Sequence, residues 1–125
     1  MKKLIWIGLA GAAGAILRTV IGQIVNGESG FPIATFGVNI VGTFLLCFIV
    51  AGALRKSNAT KDIENIVTTG FLGAFTTFSA LSMETILLVE TGQFITAVLY
   101  VAMSILGGLG AGVLGFYVGR KKVAG

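Results

Sequence analysis

The sequence contains no histidine, one cysteine, one proline and only five acidic residues among 125. With histidine absent and Cys47 alone, soft-metal sites, haem ligation and Cys–His catalysis have no residues to work with. A lone cysteine forms no disulfide within the chain, and inside an apolar run it reads as a small core residue. No nucleophile–base pair stands out, so the expectation is a protein that is not an enzyme. Charge of either sign is scarce: 11% of residues are Asp, Glu, Lys or Arg, against about 25% in an ordinary soluble domain. Apolar residues make up 55% of the chain, with a mean hydropathy of +0.97. The soluble classes drop out, leaving an integral membrane protein whose residues 1–125 form a single domain.

Four apolar runs, 4–25, 31–54, 63–89 and 94–119, each approach or exceed the roughly 20 residues that a bilayer-crossing helix needs. The expected fold is therefore all-α, with four transmembrane helices joined by short loops. Pro32 opens the second run, where its missing N–H costs least. Lys2 and Lys3 before an apolar run imitate a signal peptide, but that run continues past Arg18 to Val25 and reads as a retained helix. The cations sort by side. Lys2 and Lys3, then Arg55, Lys56 and Lys61, then Arg120, Lys121 and Lys122 all fall on one side, whereas the first and third loops carry Glu28 and Glu90. Eight of nine cations on one side places both termini in the cytoplasm of a multi-pass protein of the cell membrane. The basic balance is thus topological; lipid is the implied partner, and nucleic acid is not.

Nineteen glycines stand mostly inside the runs. Gly8/Ala12 and Gly11/Ala15 in the first, and Gly108/Gly112 and Gly115/Gly119 in the last, have the small-xxx-small spacing that lets backbones approach in lipid, within one chain or between chains. Polar residues at this depth each need a reason. Thr35, Asn39 and Thr43 form a stripe in the second run, Ser104 follows Tyr100 by one turn in the fourth, and Arg18 lies within the first. In the third, the stretch from Gly73 to Thr77 is a candidate break, with Ser79, Ser82 and Glu84 continuing a polar path beyond it. A break frees backbone carbonyls that protein, ions or a wet cavity must satisfy. The suggested lining is neutral hydroxyl and amide interleaved with Phe75 and Phe78, whose ring edges are positive and suit an anion; a cation pathway would have only Glu84 to line it. Packing between helices is the competing reading for the stripe and the rings alike. For Arg18, an interface anchor and an anion-attracting vestibule residue both stay open.

Three motifs in order resemble the CrcB/Fluc fluoride channels: Gly11 to Arg18, with its glycine and arginine; Thr35 to Gly42, containing Asn39; and Gly70 to Ser79, around the break. The resemblance covers essentially the whole chain. It implies a fluoride-selective channel through which cytoplasmic fluoride leaves passively, built as an antiparallel dimer with two pores. It implies pore roles for Asn39, Phe78 and Ser104, a polar track through Ser79 and Glu84, and a structural sodium ion held by the backbone carbonyls of Gly73 and Thr76. Oxygen ligands of that kind suit a hard cation. Thr35 and Arg18 belong to the same motifs and join the expected ion path.

Two departures are informative, one of them Gly108, one turn beyond Ser104, where the family can carry a second serine. Where the family places a second phenylalanine, this chain has Leu81 after Ala80. Together with the one-sided charge, Leu81 predicts a subunit that inserts in one orientation and pairs with an oppositely oriented homologue, in which one of two pores has decayed; the antiparallel homodimer is the alternative. Two rival functions compete with this one. A small multidrug-type exchanger needs an acidic residue in its first helix, which has none here. A non-transporting assembly subunit would account for every polar residue by packing alone.

Overall fold

The computed structural model describes residues 2–25, 31–53 and 60–124. Five helical pieces make four spans: α1 (Lys2–Val25), α2 (Ile33–Val50), α3 (residues 61–75), α4 (Phe78–Glu90) and α5 (Phe94–Ala124). All four spans are long and apolar enough to cross a bilayer, and α3 and α4 together form the third, Lys61–Glu90. The helices outrun the hydropathic edges where caps allow it. Thr60 starts α3 two residues early because its Oγ1 accepts the Ile63 N–H at 3.2 Å. The basic tail extends α5 to Ala124, beyond the expected 119, with Lys121 and Lys122 complementing the negative helix end. The second helix closes at Val50, through Ala51 and the left-handed Gly52 (φ 114°). Its expected end at Leu54, and the loop residues Glu28, Arg55 and Lys56, lie outside the described residues.

The third span is interrupted where the sequence suggested. Thr76 (φ −78°, ψ 154°) and Thr77 (φ −151°, ψ 122°) are extended, and the Thr77 hydroxyl caps α4 by accepting from the Ala80 N–H at 3.1 Å. Before the break, Ile66–Leu72 is wound as a π-helix, a form associated with functional sites. Here a β-branched run precedes a glycine, the Thr68 hydroxyl donates to the Glu64 carbonyl at 2.8 Å, and the Gly73 N–H reaches back to the carbonyls of Gly70 and Thr68.

Glycine organises the spans into two pairs. On α1, a Cβ at Gly14 would strike the Phe71 carbonyl, and one at Gly11 would lie 3.5 Å from the Gly70 carbonyl; Gly70 in turn leaves room for Ile7. The register rises together along α1 and α3, so these helices run parallel, and Lys3 pairs with Asp62 at 3.4 Å at their shared end. On α5, Gly115 and Gly119 lie against the Phe44 and Phe48 carbonyls of α2, which makes the second parallel pair. Gly115/Gly119 thus serves packing within the chain, whereas Gly8 and Gly108 face open space. The break carries the third span from one pair to the other. α3 packs on α1, and α4 leans on α5 through Leu88, Ala97 and the fully buried Tyr100.

Candidate functional site

At the crossing, every strand of backbone needs a new partner. Asn39 of α2 supplies two: its Oδ1 accepts the Thr77 N–H at 2.7 Å, and its Nδ2 donates to the Thr77 carbonyl at 2.9 Å. From α1, the Arg18 Nε donates to the Ala74 carbonyl at 3.2 Å. The Leu72 carbonyl takes both the N–H and the hydroxyl of Thr76, each at 3.0 Å. The carbonyls from Gly73 to Thr76 lose their helical donors; Arg18 serves that of Ala74, and the donors of Gly73 and Thr76 can be traced. The amide four residues after Gly73 is that of Thr77, now held by Asn39; the amide four residues after Thr76 is that of Ala80, now held by the Thr77 hydroxyl. A peptide carbonyl without a donor in hydrocarbon costs several kcal/mol, on the order of the desolvation of an amide.

Beside the break lies a cavity of about 310 Å³ lined by Asn39, Thr43, Thr76, Thr77, Phe78, Leu81, Ser104, Ile105 and Gly108. Five of the residues singled out in the sequence therefore meet in one place: Asn39, Phe78, Leu81, Ser104 and Thr76. The Ser104 Oγ is buried there with no hydrogen-bond partner among the described residues. Gly42 makes the geometry possible, because a Cβ there would strike the Thr76 methyl. The two phenylalanines have opposite fates. Phe75 is 6% exposed and stacked on Phe71, with centroids 5.9 Å apart and planes at 12°, while Phe78 is 79% exposed.

The remaining candidates flank this cavity rather than line it. Ser79 is exposed, with its hydroxyl 3.2 Å from that of Thr77. Glu84, on α4, accepts from the Tyr100 hydroxyl at 3.0 Å. Thr35 and Arg18 border a separate cavity of about 230 Å³ between α1 and α2, with Thr19, Gly22, Ala34 and Val38. Sequence reasoning placed Thr77 at the end of the candidate break but missed that its backbone is the pivot of the site, because the partner, Asn39, comes from another helix. It also missed a trough of about 910 Å³ between α2 and α5. This trough is lined by Cys47, Gly112, Phe116, Tyr117, Arg120 and Lys121, and it shares Thr43 and Gly108 with the lining of the break cavity. The trough exists because α3 has crossed to α1, leaving that half of the α2–α5 face bare. Cys47 lines it and is only partly buried.

Residues 5–116 match the family described as CrcB-like protein, Camphor Resistance (CrcB). Among curated proteins the chain is similar to "Fluoride-specific ion channel FluC 1" of Desulfitobacterium hafniense, at 42% identity over 86% of this chain and 95% of the relative. It is also similar to "Fluoride-specific ion channel FluC" of Allorhizobium ampelinum, at 39% identity over 96% and 98%. A third relative, "Fluoride-specific ion channel FluC 2" of Listeria monocytogenes serotype 4b, is 44% identical over 84% and 81%.

Proposed function

The chain belongs to the CrcB family, and from that premise we propose that it is a fluoride channel, passively exporting cytoplasmic fluoride across the cell membrane. The observation that carries this reading is the cavity at the break, which offers hydrogen-bond donors and no carboxylate. Asn39 keeps one amide hydrogen after serving Thr77, Ser104 has a buried hydroxyl to donate, and the Phe78 ring stands bare with its positive edge available. Neutral donors of this kind replace an anion's hydration shell without trapping the ion. Arg120 and Lys121 give the trough a positive mouth, and the anion passes from there by Thr43 to the cavity. Direction follows the gradient and the membrane voltage. Ser79, Thr35 and the Glu84–Tyr100 pair extend a polar track on the far side of the break.

The carbonyls of Gly73 and Thr76 fit a hard monovalent cation, since both are neutral oxygen donors whose helical N–H partners have gone to side chains among the described residues. Bound sodium would neutralise their dipoles and hold the broken ends in register. Gly73 and Thr76 offer two such oxygens, too few for a cation, which supports pairing with a second, oppositely oriented chain. The one-sided cations favour a fixed orientation with both termini cytoplasmic, and a homologue of opposite bias as the partner; a second copy of this chain is the other pairing.

Fluoride efflux from loaded liposomes, followed with a fluoride electrode, tests the function. The wild-type chain, alone or with an oppositely oriented homologue, is expected to release fluoride. Asn39→Ala and Phe78→Ile should each slow release by about tenfold or more, the loss of one or two charge-assisted contacts. No release under either condition would overturn the reading.

A further inference from the structure

Arg18 is the one charged side chain of the first apolar run, residues 4–25, and it has no place in the cavity of Asn39, Phe78 and Ser104. It stands about 24 Å along α1 from Lys2, by the helical rise of 1.5 Å per residue. That leaves about 10 Å of helix to Val25, still within the apolar run, where a partly buried guanidinium needs a partner. Its partner is specific: Nε, the donor nearest the backbone, bonds the Ala74 carbonyl in the last turn of α3. In an unbroken helix that carbonyl would accept from Phe78; the extended Thr76 and Thr77 put that donor out of register. A cation at a helix C-terminus also meets the negative end of its dipole. The base of the side chain is fixed, because Gly11 and Gly14 seat α1 directly on the α3 backbone.

We propose that Arg18 is a positioning residue. Through Ala74 it fixes the terminal turn of α3, and so orients the Gly73 and Thr76 carbonyls on either side of that contact. Asn39 does the same from the opposite helix pair by holding Thr77, and the break is pinned between the two. The inference rests on the reading of those carbonyls as a cation cradle. It differs from a role in attracting anions, which would need the charge of Arg18 but not its Nε.

Three substitutions separate these roles. In Arg18→Gln, the amide nitrogen sits at the same position along the side chain as Nε, without the charge. In Arg18→Lys the charge stays, but a methylene occupies that position. Arg18→Met removes both. The full chain is purified in detergent without fluoride, and its thermal unfolding midpoint is followed as sodium replaces N-methylglucamine; fluoride efflux is measured in parallel. Gln is expected to stay within about twofold of wild type in both readouts, while Lys and Met need about tenfold more sodium and conduct about tenfold more slowly. Lys behaving as wild type with Gln behaving as Met overturns the proposal, and so does a set of three variants that all match wild type or all fail to fold. A wild type that conducts but does not respond to sodium defeats the cation reading alone, and the efflux order of Gln against Lys then decides Arg18. Independently of any activity, magic-angle-spinning NMR of the bilayer-embedded protein should show a dipolar contact between the Arg18 15Nε and the Ala74 carbonyl 13C; its absence overturns the proposal.

Discussion

Phe75 and Phe78, three residues apart, do opposite work because the extended pair Thr76–Thr77 lies between them. An unbroken helix would set them on neighbouring positions of one face; instead one is stacked on Phe71 and the other stands bare. Phe75→Ile should therefore lower the unfolding midpoint, with a cost of about 1–3 kcal/mol for a lost buried ring, roughly as for other large-to-small changes. Phe78→Ile should leave the midpoint of the single chain almost unchanged and slow fluoride efflux. Paired calorimetry and efflux would expose any exchange of these roles. Ser104 makes a further contrast. Its buried hydroxyl has no partner among the described residues, so Ser104→Ala relieves a desolvated donor and should raise stability by about 1 kcal/mol while slowing conduction. Greater stability with weaker transport is the signature of a polar group kept for its ligand.

At the scale of elements, the glycines divide into those that permit contact and those that do not. Gly14 brings α1 against the Phe71 carbonyl with no room for a methyl, whereas nothing stands within 4 Å of a Cβ at Gly8. Gly14→Ala should destabilise the chain by about 1–3 kcal/mol, the usual range for overpacking. Gly8→Ala should be neutral or stabilising by up to about 1 kcal/mol, since alanine loses less entropy in a helix. Chemical unfolding in mixed micelles measures both. A strong loss at Gly8 would mean that its face is covered by another chain. The π-helical turn before the break belongs to the same scale. It brings Gly70 onto Ile7 of α1 and ends at Gly73, where the freed carbonyls begin.

At the scale of the molecule, two parallel helix pairs are joined by one broken span, and the polar groups of the chain gather where that span crosses. The crossing uncovers the trough that ends at Arg120 and Lys121. The cations set a testable orientation. With eight of nine on one side, protease sites placed at either terminus should be cleaved only from the cytoplasmic face in intact cells. Equal cleavage from both faces would show dual insertion and overturn the proposed pairing with a homologue of opposite bias.

Hydropathy and charge determined the four spans, their order and the expected sidedness, because a bilayer demands long apolar helices and loop cations act through composition alone. Several residues that line the cavity at the break were equally legible: amide and hydroxyl groups in hydrocarbon advertise themselves by their cost, as Asn39 and Ser104 do. Which of them meet was decided only by tertiary structure. Thr35 shares a helical stripe with Asn39 and Thr43, yet it borders another cavity with Arg18. Thr77 became the pivot because Asn39 reached its backbone, and the Gly73 and Thr76 carbonyls were freed because their amide donors went to side chains. The Thr77 cap on Ala80 is local, but Asn39 reaches Thr77 from a helix 38 residues away in the chain, and no local pattern of residues encodes that contact.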